Sequence, residues 1–90
     1  MNTNRTAYKQ EVDHRFMKPV RMARNKTQAQ LAELMNVDVS TVGKLEREEL
    51  KFTPLYESKF NDALKRMRVS NMELVSIREL VNMKQRRGYK

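Results

Sequence analysis

Apolar residues along this chain recur at spacings of three and four, and strand-like alternation is absent. Val12, Phe16 and Val20 stand four apart with Ala23 three further on, which predicts a helical pattern from about Thr6. Pro19 falls inside it. A proline in a helix removes a hydrogen bond and clashes with the preceding turn, so a kink or break is expected near Met17 and Lys18. A short helix should then end near Arg24, with Asn25 suited to the C-terminal cap. Met1 to Asn4 are expected to be disordered.

The next stretch, TQAQLAELMNVDVSTVGKLE from Thr27 to Glu46, carries two short helical patterns joined across Asn36 and Val37. Thr27 is an N-cap with Gln30 three residues later, a capping box that satisfies free N–H groups reciprocally. Leu31, Ala32 and Met35 fall on one face. The chain must turn sharply after Met35, and Asn36 tolerates positive φ better than most residues. Val37 can plug the corner. Asp38 is a candidate N-cap for the second helix, whose Val42 and Leu45 face inward while Val39, Ser40, Gly43 and Lys44 face outward. The spacing predicts a helix-turn-helix.

A charged connection, REELKF, runs from Arg47 to Phe52. Thr53 and Pro54 then start a fourth helix as N-cap and first helical residue, with Leu55, Tyr56, Phe60, Ala63, Leu64 and Met67 as its apolar face. That helix should stop near Arg68. Ser70 and Glu73 repeat the capping-box spacing and launch a fifth. Leu74, Ile77 and Val81 make one apolar stripe on it, and Met72, Val75, Leu80 and Met83 make a second. The expected fold is therefore all-α: a compact bundle of about five helices with a central helix-turn-helix, plus an additional N-terminal helical segment. We divide it into a partly helical extension over 1–15, the bundle over 16–83 and a basic tail over 84–90.

Composition narrows the chemistry. Ninety residues suit one compact domain. Lysine and arginine number 19 against 11 acidic residues, a formal charge of +8 that favours a polyanionic partner. Without cysteine there is no disulfide framework or cysteine-ligated zinc, and the fold must stand on packing. No run approaches a membrane span and MNTNRTAYKQ lacks a signal-peptide core, so the expected compartment is the bacterial cytoplasm, at the nucleoid when DNA is bound. His14, beside Asp13, is the only histidine and is expected at the surface. Nothing converges as a catalytic constellation, and neither cofactor nor metal is expected. The tyrosines are scattered, unlike the stacking platforms of single-strand binders.

The stretch Thr27-Gln28, Leu31-Ala32, Val37, Ser40-Thr41-Val42 and Leu45-Glu46 resembles the Cro/repressor-type helix-turn-helix, the lambda-repressor-like (XRE) family. The likeness extends over roughly Phe16 to Val75, about two thirds of the chain, and Ala63 to Leu74 resembles the family's closing segment. It implies a helix from about 38 to 47 in the major groove of double-stranded DNA and the helix from Gln28 across the backbone. On that footing Val39, Ser40, Gly43 and Lys44 read bases, while Thr27, Gln28, Thr41, Arg47 and Lys51 meet phosphates. Arg21 and Glu46 match positions that form an internal ion pair in some members. Three residues depart from the pattern: Lys26 at a usually apolar site, Asn36 for the turn glycine, and Glu48 near the glycine that commonly ends the recognition helix. Gly43 costs about 1 kcal/mol against alanine in a helix and reads equally as close approach to the duplex or as an unoptimised surface position.

The fifth helix is apolar over more of its circumference than one small domain covers. A homodimer through Met72, Val75, Leu80 and Met83 is one solution, matching two-fold symmetry to paired half-sites; packing of the N-terminal segment there is the other. Two functions follow. The first is a sequence-specific transcriptional regulator, a repressor of phage, mobile-element or bacterial genes. The second is a protein-interaction adaptor on the same fold, an antitoxin or anti-repressor that binds a second regulatory protein through its methionine-rich C-terminal helix. Polar and basic Gln28, Ser40 and Lys44 favour the first. The basic tail, Lys84 to Lys90, is expected to be solvated, with phosphate contacts when DNA is near.

Overall fold

Capping chemistry marks most of the helix ends in this chain. The computed structural model describes residues 12–86. A 3-10 turn, His14–Phe16, precedes five α-helices: α1 (Met17–Ala23), α2 (Gln28–Met35), α3 (Val39–Glu46), α4 (Pro54–Arg66) and α5 (Asn71–Arg86). Among the described residues there is no strand. The all-α bundle with a central helix-turn-helix is thus the architecture. The helix expected from Thr6 and the disorder expected at Met1 to Asn4 lie outside the described residues in whole or part, as does most of the basic tail.

Side-chain caps mark the N-terminal ends of α2, α4 and α5. Thr27 Oγ1 accepts from the Gln30 N–H at 3.1 Å while Gln30 Oε1 accepts from the Thr27 N–H at 2.9 Å. Ser70 and Glu73 repeat the exchange at 3.1 and 3.0 Å. Thr53 caps α4 through the Tyr56 N–H, with Pro54 in the first turn. Asp38 occupies the N-cap of α3 in extended geometry, but its carboxylate makes no cap hydrogen bond. Its carbonyl takes the first backbone bonds of the helix, from Thr41 and Val42.

The C-terminal ends of α1 to α4 share one device. Asn25, Asn36, Glu48 and Arg68 all have positive φ, from 55° to 63°. In each case the next residue donates back five residues, as Val37 N–H does to Ala32 O at 3.0 Å and Glu49 N–H to Lys44 O at 2.8 Å. This is the Schellman arrangement, usually closed by glycine. A chain with two glycines builds it four times from other residues. Lys26, the apolar-site departure, donates its N–H to Arg21 O at 2.7 Å as part of the same corner, with its side chain only half-buried.

Pro19 does not interrupt α1. It is the third residue of that helix, in a first turn whose N–H groups lack intrahelical partners anyway, and the discontinuity is the change from 3-10 to α geometry at Phe16 and Met17. This places Phe16, Met17 and Val20 in the core with Leu31, Met35, Val42, Leu45 and Phe60. Helix α2 packs on both α3 and α4, and the 3-10 turn packs on α1, α3 and α5. Leu74, Ile77 and Val81 close the core from α5. Leu55 is a correction to the expected face of α4: it is exposed, while Phe60, Ala63 and Leu64 carry the burial. Leu50 and Phe52, in the connection read as charged, pack on the core, and the Phe52 ring meets Phe60 edge-on at 6.2 Å.

Candidate nucleic-acid interface

Helix α3 is divided between a buried and an exposed side by its 3.6-residue period. Val42 and Leu45 are fully buried, and Ser40, Lys44 and Val39 are exposed. Gly43 departs from the outward set: it is buried. A Cβ built on it would meet Arg47 Nη1 at 3.1 Å and Gln28 Oε1 at 3.7 Å, so the ends of two longer side chains cover this position. The helical angle explains the change. Residue 43 stands on the flank of α3 that faces the start of α2, with Ser40, Lys44 and Arg47 farther round towards solvent.

Beneath that flank lies an ion pair with a third member. Arg21 Nε donates to Glu46 Oε2 at 2.8 Å and Arg21 Nη2 to Glu46 Oε1 at 3.0 Å, while Arg21 Nη1 reaches Lys26 O at 3.3 Å. Gln28 Nε2 also donates to Glu46 Oε1, at 3.0 Å. The pair is largely enclosed, with 14% of the Arg21 side chain and 7% of Glu46 exposed. Burial alone would raise the Glu46 pKa, but hydrogen bonds from Arg21 and Gln28 hold the carboxyl below its ordinary value. The same bond raises Arg21 above its ordinary range. The result joins α1, α2 and the end of α3, and it turns the Gln28 amide inward.

Of the residues assigned to phosphates, Thr27 and Lys51 are exposed, and Thr41 is half-buried beside Ala32, Glu33 and Asp38. Arg47 is exposed and bound by Glu49, its Nε donating to Oε2 at 2.8 Å and its Nη2 to Oε1 at 3.2 Å. Sequence reasoning missed that pair, although an arginine and a glutamate two apart across a helix end were visible as a candidate. It also missed Arg24, which ties α1 to the start of α5 by donating from Nη2 to Glu73 Oε1 at 2.6 Å and to Arg68 O at 3.0 Å. His14 is partly buried, not simply at the surface, with Nε2 3.3 Å from Glu48 Oε2.

On α5, Met72, Val75, Leu80 and Met83 are exposed, Met72 by 78% and Leu80 by 55%. They do not form one narrow stripe. Leu80 borders a groove lined by His14, Lys18 and Pro19, whereas Met72 and Met83 lie opposite the buried stripe. No described helix is long and apolar enough to cross a membrane, and no described cluster of His, Asp or Glu could hold a metal.

Neither the curated proteins nor the solved structures yield a match to the chain. One protein-family model, described as Helix-turn-helix, matches residues 18–55, which run from the first turn of α1 through α3 to the start of α4. With the paired α2 and α3 of the fold, residues 18–55 are a Cro/repressor-type helix-turn-helix, the DNA-binding element of a family of transcription regulators.

Proposed function

We propose that this chain is a sequence-specific transcriptional repressor of phage or bacterial genes that binds duplex DNA as a homodimer, with α3 in the major groove. One observation carries the reading: Val42 and Leu45 anchor α3 from behind while Ser40 and Lys44 stand free on its opposite side. A helix held that way can offer side chains to base edges without giving up core contacts. Val39 joins this set. Thr27 and Lys51, both exposed, would meet phosphates, with half-buried Thr41 a lesser contact. The net charge of +8 supplies the sequence-independent attraction.

Dimerisation through α5 supports the same reading, because Met72, Val75, Leu80 and Met83 leave apolar surface uncovered within one chain. The bundle over residues 16–83 would be the repeating unit and the tail over 84–90 a phosphate-contacting appendage. Selection of duplexes from a random pool at about 150 mM salt tests both halves of the proposal. Enrichment of a two-fold symmetric site with half-sites about one helical turn apart supports it. Enrichment of no sequence, with the protein instead held by another polypeptide through α5, would favour the adaptor.

A further inference from the structure

Arg47 is oriented by two neighbours in a way that suits a base edge. Its guanidinium lies over Gly43, with Nη1 3.1 Å from the place a Cβ would take. Glu49 holds the Nε and Nη2 side, at 2.8 and 3.2 Å. A guanidinium has five N–H groups, and a carboxylate on that side uses two of them. The far edge, one N–H from Nη1 and one from Nη2 arranged as a parallel fork, takes no part in the hydrogen bonds to Glu49. Such a fork matches the O6 and N7 acceptors of guanine in the major groove. It would match two phosphate oxygens as well, but Glu49 decides between them. A phosphate on the far edge would stand close to a carboxylate of the same sign, whereas guanine brings two neutral acceptors.

We infer that Arg47, seated in the notch left by Gly43 and oriented by Glu49, is a guanine-reading residue of the interface, with Glu49 as its positioning residue. This rests on the DNA-binding reading above and extends it, moving Arg47 from the phosphate set to the base-reading set. It also gives Gly43 a reason: a side chain there would displace the guanidinium from its seat.

The test uses full-length protein in four forms, wild type, Arg47→Ala, Glu49→Gln and Gly43→Ala, each checked for helical content and thermal midpoint. Duplex selection with the wild type should give one guanine at a fixed place in each half-site that Arg47→Ala flattens to near-equal bases. Loss of that one contact should lower discrimination there by roughly five- to 150-fold, and affinity for random duplex should change much less. Glu49→Gln should weaken the same guanine preference while binding to random DNA holds or rises. Gly43→Ala should do likewise with its midpoint unchanged or higher, since alanine is the better helix former. Equal losses for Arg47→Ala on selected and random duplex, a salt slope smaller by about one, and tighter binding of both by Glu49→Gln would make Arg47 a phosphate contact and overturn the inference. A wild type that binds no duplex at all would instead overturn the DNA-binding reading beneath it.

Discussion

Arg21 and Glu46, 25 residues apart, meet through two hydrogen bonds at 2.8 and 3.0 Å, and the same carboxylate accepts a third from Gln28. Helices α1, α2 and α3 are therefore joined at one carboxylate. Removing it leaves the Arg21 guanidinium largely enclosed and without its partner. Glu46→Ala should destabilise by roughly 3 kcal/mol or more. Chemical denaturation with an unchanged slope and a lowered midpoint checks this, and an unaltered midpoint contradicts it.

The same carboxylate sets a pH dependence. Because its folded pKa is depressed, Glu46 contributes stability that is fully present above its ordinary value of about 4.5 and is lost as pH falls through the lower folded value. Asp13, held down by Arg15 against the effect of burial, acts in the same direction below about 3.8. Wild-type stability should fall on acidification from pH 5 towards pH 3, in the range where such carboxylates take up protons. Glu46→Gln should start lower and fall less steeply. Parallel curves would show that Glu46 does not govern the acid limb.

Glu48 and Arg68 end α3 and α4 in a left-handed conformation that costs an L-residue roughly 1 to 2 kcal/mol per position. Arg68→Gly keeps the carbonyl that accepts from Arg24, so it tests the backbone alone. It should raise stability by about 0.5 to 1 kcal/mol, the gain being offset in part by the freer unfolded chain. Glu48→Gly should gain less, because it also removes the contact with His14. A loss of stability in Arg68→Gly would mean that its side chain contributes more than the strain costs.

Lys44 and Gln28 should separate in binding. Lys44 is exposed on α3 and Gln28 is turned into the Glu46 carboxylate. Lys44→Ala should cost about 1 to 3 kcal/mol and relax preference at one base pair per half-site. Gln28→Ala should weaken every duplex alike and also lower the thermal midpoint slightly, since it removes a hydrogen bond from a charged group. Equal losses on operator and random DNA for Lys44→Ala would remove it from the groove.

Leu80 and Met83 to Glu together should leave a folded monomer with much weaker operator affinity, because each monomer then holds one half-site. Sedimentation and duplex titration check it. A wild type that stays monomeric at tens of micromolar, with and without DNA, contradicts the dimer.

Local rules made much of this protein legible in its sequence. Thr27 with Gln30, Thr53 with Pro54, and Ser70 with Glu73 announced three helix starts, because a cap needs only residues three apart. Asn36 marked the turn because asparagine tolerates positive φ, and the three- and four-residue spacing of Leu31, Met35, Val42 and Leu45 marked the core. Other features depend on helix placement. Whether Gly43 faces solvent or Gln28 is set by how α2 crosses α3, and whether Gln28 is free or bonded is set by where Glu46 arrives. Leu50 and Phe52 lie in a segment without periodicity, so only packing shows them turned inward. Arg24 and Glu73 are 49 residues apart, and no local rule joins them. Helix ends obey interactions within one turn of chain, which the order of residues alone determines. The interface comes from long-range approach between helices, and that was decided only when the tertiary structure brought α1, α2, α3 and α5 together.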